Sequence, residues 1–570
     1  MHQFPRRTRA HRGTAGMAIV VLLALCTSCG GADKGGPTTA NGSVPGSAVG
    51  GRADLTVEDA AVPKDGGHLV FGLAAETDGW NPTRNRWSAS GYIVGFSIFD
   101  PLAAYDENVV PQPYLAKAIT SDPSFLTWTI ELRSGISFHD GSPLDAAAVA
   151  KNLEGHRKSG LTAETLSFID SITVADASHV VVKMKKPWAG FPNTLTSQVG
   201  AIAAPSQLDA GDEGTRKPVG TGPFRFEDWQ SGKHLKASKN ESYWRKGYPH
   251  LDSIEFRVVM DNATRSAGLA AHDIDITETG DPTQIADFTE QARQSPPKLQ
   301  LYTDQQTDGP KIFLTLNHAQ PPFDDPIARE AVAAAVDREN LSEIAFGGVF
   351  PPATGPFSET SPFFVPDAHP PAFDVTKAKA LSEQYAKAHG TPLKFSFAVP
   401  TTTEAGLIAQ VLQKQFADAG IEVSITSEEQ VTLIVDIVAG KYEAGIFSLF
   451  ASPSLDTDYA FLAGAPKPPG QLSLNFARVS EADNAVLTAA FDASRATADP
   501  AELQKQYAII VREMAKNLGF VFLVRQTTAV AYDPSVRGAK LYDLPGPDGA
   551  PAGKALIRTA PFTFAMWIDA

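Results

Sequence analysis

The sequence predicts an α/β fold with mixed sheets, and three local patterns carry that prediction. From Lys394 to Val399 polar and apolar residues alternate, with Phe395, Phe397 and Val399 on one face. From Glu404 to Ala419, Leu407, Ile408, Val411, Leu412 and Phe416 recur at helical spacing, and Gly420 stands where that helix should end. Ile421, Val423 and Ile425 then resume a period of two. Strand, helix, strand in that order implies a parallel pair joined by a right-handed crossover. The second and third patterns are helix starts. Asp499-Pro500-Ala501-Glu502 offers an N-cap, a proline at the first position and an acid at the third, ahead of Leu503, Tyr507, Ile510 and Met514. Asp325-Pro326 likewise opens a helix carrying Ala328, Val332, Ala335 and Val336. The folded body is expected to begin near Gly66, where His68 to Leu73 reads as a first strand.

Ahead of that body lies a leader. Arg6, Arg7, Arg9 and Arg12 form a basic segment without acids, and Met17 to Cys26 (MAIVVLLALC) is a short apolar core. A bilayer span needs about twenty apolar residues; this core is about half that, as in a cleavable signal. Cys26-Thr27-Ser28-Cys29-Gly30 resembles the bacterial lipobox, with Cys26 where that motif usually has Leu. The resemblance implies cleavage before Cys29 and lipidation of Cys29. From Gly30 to Asp65 the chain is rich in Gly, Ala, Ser, Thr and Pro and is read as a flexible tether, with a reach on the order of 30 Å.

Composition narrows the function. Both cysteines lie in the leader, so the body has no internal disulfide, and a chain of 570 residues is long enough to bury large cores without one. A formal net charge of −15 argues against nucleic acid, whose phosphates need a basic face. Catalytic and metal motifs are missing. The twelve histidines never show HxxxH or HExxH spacing; there is no GxSxG elbow and no GxxxxGK[ST] loop. Gly220-Thr221-Gly222 runs straight into Pro223, which spoils a dinucleotide fingerprint. His139-Asp140 before Gly141 reads as a turn. No enzyme, cofactor or metal is expected.

Three segments then carry a family resemblance. The first is Trp128-Thr129-Ile130-Glu131-Leu132-Arg133-Ser134-Gly135-Ile136-Ser137-Phe138-His139-Asp140-Gly141, followed by Ser142-Pro143-Leu144-Asp145-Ala146. The second is Pro218-Val219-Gly220-Thr221-Gly222-Pro223-Phe224, then Trp229, Gly232, Asn240-Glu241-Ser242-Tyr243-Trp244 and Leu251-Asp252. The third is Asn317, Pro321-Pro322-Phe323-Asp324-Asp325, Arg329 and Ala335-Val336-Asp337-Arg338. In this order they resemble the family 5 extracellular solute-binding proteins, the dipeptide-, oligopeptide- and nickel-binding components of bacterial ABC importers. Ala148 departs from the usual Asp, and His272 from the usual Gly.

The resemblance implies a two-lobed periplasmic-binding-protein-like fold (type II, cluster C) that closes on its ligand. The expected division is a signal peptide over 1–28 and a tether over 29–65. Lobe I then takes 66–98, 216–310 and 535–570, with an extra subdomain over 99–215, and lobe II takes 311–534. Carried over from relatives, the ligand contacts would be Glu76, Thr77, Asp78 and Trp87 after the first strand. Phe313, Thr315 and Asn317 would add to them on the strand entering lobe II, with Leu449 to Asp458 forming a loop of that lobe. Peptide-binding relatives hold the ligand's ammonium with an aspartate soon after a Trp in this loop. Here Phe450 stands near the Trp, an ungapped match puts Ser454 at the aspartate, and Asp456, ahead of Asp458, is the acid expected to serve. The expected protein is a monomeric, lipid-anchored peptide-binding component of an importer, partnered by a permease and its ATPases. The alternatives are a regulatory lipoprotein of the same fold, an importer component for another solute, and a hydrolase with a dispersed site.

Overall fold

The computed structural model describes residues 54–56, 62–159, 162–163, 165–304, 309–449, 454–463, 473–546, 551–556 and 563–569. The leader with Cys29, most of the expected tether, and Phe450 lie outside the described residues.

Among the described residues the strands gather into three main sheets. The largest has eight strands in the order Asp54–Leu55, Gln300–Asp304, Thr528–Tyr532, Ile276–Thr279, His68–Leu73, Ser253–Val258, His234–Lys239 and Phe224–Gln230. It is the sheet of lobe I. A five-stranded sheet, Glu422–Glu428, Lys394–Pro400, Ala444–Leu449, Lys311–Leu316 and Phe520–Arg525, forms lobe II. A four-stranded antiparallel sheet between Ala116 and Met184 forms the subdomain.

The strand–helix–strand unit stands as its periodicity predicts. Strands Lys394–Pro400 and Glu422–Glu428 pair in parallel, Lys394 opposite Glu422, and helix Thr403–Asp418 connects them. Phe395, Phe397 and Val399 are buried, as are Ile408, Leu412 and Phe416 of the helix, and Gly420 takes a left-handed φ of +72°. Leu407 differs: it is exposed, because the buried stripe is narrower than its spacing implied. The two proline-led helices are Pro326–Ala335 and Pro500–Asn517. Asp325 caps the first through the Ile327 N–H, and Asp499 caps the second through the Glu502 N–H.

Two boundaries differ from the expected ones. Asp54–Leu55, inside the stretch assigned to the tether, pairs with Leu301 and Tyr302 at the edge of the large sheet, and Leu55 packs against an apolar cluster there. The chain also returns to the eight-stranded sheet at Thr528, ahead of the expected return at 535. The run from Phe520 to Tyr532 reads as one long strand, but it splits between two sheets at Gln526–Thr527, and no Gly or Pro announces the break.

That split builds the hinge. Strand Gln300–Asp304 pairs antiparallel with Thr528–Tyr532 in lobe I, and strand Lys311–Leu316 pairs antiparallel with Phe520–Arg525 in lobe II. The lobe II ends of the two crossings therefore lie side by side. The Gln526 N–H donates to the Pro310 carbonyl at 2.8 Å, and a Cβ on Gly309 would lie 2.5 Å from the Gln526 carbonyl oxygen.

The family-like segments are packing. Asp100, at the end of the first lobe I helix, is buried and accepts from Thr221 Oγ1 (2.9 Å), Tyr243 Oη (2.9 Å) and Trp244 Nε1 (3.0 Å). Gly220 and Gly222 press on the backbone of Ile98; a Cβ on Gly220 would lie 2.1 Å from the Ile98 oxygen. His139 bonds the Gly222 carbonyl through Nε2 at 2.9 Å, and burial pushes its pKa down to about 4. Gly141 completes the turn at φ +86°. His272, where a glycine is usual, holds the left-handed φ of +59° that explains the usual residue.

Candidate functional site

The segment after the first strand is tied down within the protein. Glu76 accepts from Trp229 Nε1 (2.8 Å), Ser231 Oγ (3.0 Å) and the Gly232 N–H (2.8 Å), which fastens this segment to the hairpin beside it. Thr77 is buried and its hydroxyl donates to the carbonyls of Gly79 and Arg86. Asp78 is exposed and closes a local ring with the Arg86 N–H (3.0 Å) and guanidinium (3.3 Å). Trp87 is buried, stacked on Phe99 and edge-on to Tyr92, and Gly91 and Gly95 leave room for its ring on the neighbouring helix.

The residues on the strand entering lobe II face inward. Phe313 is fully buried among Phe447, Phe520 and Phe522. Thr315 donates to the Gly519 carbonyl. Asn317 donates to Tyr442 (2.7 Å) and Gly440 (3.3 Å), and its oxygen accepts from the Ala319 N–H (3.1 Å). These groups shape lobe II from within, and their polar atoms are engaged there.

The loop of lobe II brings two acids to very different places. Asp456 and Asp458 share the short 3-10 turn Leu455–Asp458, whose N-cap is Ser454. Asp456 is gripped. Arg495 Nε reaches its Oδ1 at 2.9 Å, Arg495 Nη2 reaches its carbonyl at 3.0 Å, and Trp188 Nε1 donates to Oδ2 at 3.3 Å. The side chains of the pair are only 8 % and 4 % exposed. Asp458 is also buried, but it makes no side-chain capping bond, and its charged neighbour is Lys311, itself buried at the start of the lobe II strand next to the hinge. Burial pushes the Asp458 pKa up to about 6, with the Lys311 charge pulling the other way.

A third acid lies where the lobes face each other. Glu404, in the first turn of helix Thr403–Asp418, is half-buried. Burial raises its pKa to about 7, and the charge of Asp281, the N-cap of lobe I helix Pro282–Ala292, adds to the rise. Among the described residues no cluster of three His, Cys, Asp or Glu side chains could hold a metal ion, and no helix is long and apolar enough to cross a membrane.

Sequence reasoning missed Arg495, Trp188 and Lys311. Arg495 reads as an ordinary basic residue in the last turn of its helix, and its partner lies 39 residues away. Lys311 left a usable signal. It is the one charge in Lys-Ile-Phe-Leu-Thr-Leu, a strand buried along its whole length.

Two lobes on a paired-strand hinge, with buried charged groups gathered where the lobes meet, define a binding protein of the clamp type. The particular family follows from the sequence: residues 110–468 match the bacterial extracellular solute-binding proteins, family 5, over the middle region of that family, and the chain belongs to it. It is 29% identical over 463 residues to the glutathione-binding protein GsiB of Pectobacterium atrosepticum, covering 78% of this chain and 86% of that one. It is 29% identical over 443 residues to GsiB of Escherichia coli K12, covering 73% and 80%. Similar solved structures include AgaA of A. tumefaciens R10 in complex with agropinic acid (TM-score 0.71, 24% identity, 88% of this chain and 99% of that one). DppA of Helicobacter pylori in complex with the peptide STSA is similar at TM-score 0.72 and 21% identity, over 89% and 99%. As a family 5 protein the chain is an extracytoplasmic solute-binding component of an ABC importer.

Proposed function

We propose that this chain is anchored to the outer face of the membrane through a lipid on Cys29, binds peptides with a free amine between its lobes, and hands them to a membrane permease. The observation that carries the peptide reading is Asp458. It is a buried carboxylate on the lobe II loop with no capping bond of its own and with Lys311 as its charged neighbour. A peptide with a free amine carries an ammonium, and a buried carboxylate is the group that pairs with it. Asp456 is the weaker choice for the ammonium, because Arg495 and Trp188 already occupy its oxygens. The names of relatives support the class: glutathione is itself a small peptide with a free amine, and GsiB is named for binding it. The leader and its Cys29 support the anchor.

The test is to purify the protein from its own host, identify the bound solute by native mass spectrometry, and measure binding of glutathione and short peptides with free or acetylated N-termini by calorimetry. Tight binding of free peptides and loss on acetylation is the expected result. Equal binding of the two forms rejects the peptide-amine reading and leaves a non-peptide solute.

A further inference from the structure

The lobes meet along a seam far in sequence from the hinge. On the subdomain side it is made by Phe168 and by the segment between strand His179–Met184 and the short helix Phe191–Thr194. On the lobe II side it is made by the turn Leu455–Asp458 and the end of helix Glu481–Arg495. The Ala189 N–H donates to the Arg495 carbonyl at 2.7 Å. Trp188 Nε1 donates to Asp456 Oδ2 at 3.3 Å. The Arg495 guanidinium lies between two rings, 4.2 Å from the centre of Phe168 of the subdomain and 4.1 Å from that of Tyr459 of lobe II. Lys186 and Asp492 form an ion pair at 3.3 Å on the solvent side.

We propose that this seam is a closure latch, which holds the lobes together by contacts between protein groups alone and so sets the fraction of closed protein before any ligand arrives. The argument is one of differential contacts. Asp456 and Arg495 both belong to lobe II and stay paired when the lobes part. The Trp188 indole, the Ala189 N–H, the Phe168 ring and Lys186 all belong to the subdomain and are lost together. A conformational equilibrium shifts only by contacts that one state has and the other lacks, and these four meet that condition without a ligand atom. Asp456 therefore acts as the catch of the latch rather than as a ligand group. The proposal rests on the clamp reading of the proposed function, and it adds that a pre-closed population lowers apparent affinity by shrinking the competent open fraction.

Gly190 gives the test its specificity. Its backbone, at φ −76°, suits alanine. A Cβ there would lie 2.1 Å from Asp456 Oδ2, a clash that exists only while the lobes are together. Gly190→Ala is thus a wedge that leaves each lobe able to fold. Lys186→Glu, at an exposed position, repeats the test by charge without adding bulk.

Spin labels on Lys183 and Val486, both exposed, report the gap by double electron–electron resonance in mature protein stripped of ligand by unfolding and refolding. Thermal melts confirm folding of each variant. The expected result is a short-distance population in the parent that falls about tenfold relative to the open form in Gly190→Ala, and by a smaller, salt-dependent factor in Lys186→Glu. Identical distance distributions in parent and Gly190→Ala, or a parent without the short-distance population, overturn the latch. The measurement uses no ligand, so failure of peptide binding would sink the proposed ligand class and leave this result standing.

Discussion

Replacing Glu404 by glutamine removes one charge from the place where the lobes meet, and its effect follows from the structure. The carboxyl has its pKa pushed from 4.5 to about 7, first by burial and second by the Asp281 charge. A raised acid pKa means that folding favours the protonated form. The stability this group gives is therefore fully present below about 4.5 and is lost as pH rises toward 7. Above that window the ionised side chain costs roughly 3 kcal/mol, taking about 1.4 kcal/mol for each pH unit of displacement. Glutamine keeps the shape and carries no charge. The variant should match the parent at pH 4 and be more stable at pH 8 by about 3 kcal/mol, or about 6–12 °C in Tm for a lobe of this size. Urea and thermal melts of both proteins at half-unit steps from pH 4 to 8 measure the difference. Parallel curves, with no divergence between pH 4.5 and 7, would refute the placement of Glu404 in a closed, water-poor contact beside Asp281.

Three further outcomes are expected. Affinity for a peptide with a free amine should fall about tenfold between pH 7 and 5, as Asp458 with its pKa near 6 takes up a proton; titration calorimetry reads it, and Asp458→Asn should bind weakly with no pH dependence. Gly220→Ala should destabilise the protein by about 3 kcal/mol in urea, since its Cβ would meet the Ile98 carbonyl at 2.1 Å. Cys29→Ser should lose fatty-acid labelling in cells and leave the membrane fraction, and unchanged labelling would refute the anchor.

Periodic structure was legible because its causes are local. The unit from Lys394 to Glu428 is set by side chains two or four residues apart, and the caps at Asp325 and Asp499 by neighbours two or three away. The loop acids show the other case. Nothing around Asp456 separates it from Asp458 in the sequence. What separates them is Arg495, 39 residues on, and Trp188, 268 residues back, both brought in by tertiary folding. The crossing at Gln526–Thr527 was hidden for a similar reason. Each half of Phe520 to Tyr532 has strand composition, and only the register with two different sheets divides it.

The place of Thr528–Tyr532 in its sheet has a bearing on how the chain acquires its structure. That strand comes late in the sequence, yet it stands third of eight, between Gln300–Asp304 and Ile276–Thr279, and pairs antiparallel with both. The strands of lobe II come from one continuous stretch, Lys311 to Arg525, and can pair among themselves. Lobe I cannot be completed until the chain beyond Gln526 arrives, and contacts so distant in sequence form slowly. Until then the edges of Gln300–Asp304 and Ile276–Thr279 stay open to wrong pairings. A chain cut short after Arg525 would keep the means to build one lobe and lose the strand that joins the two parts of the other.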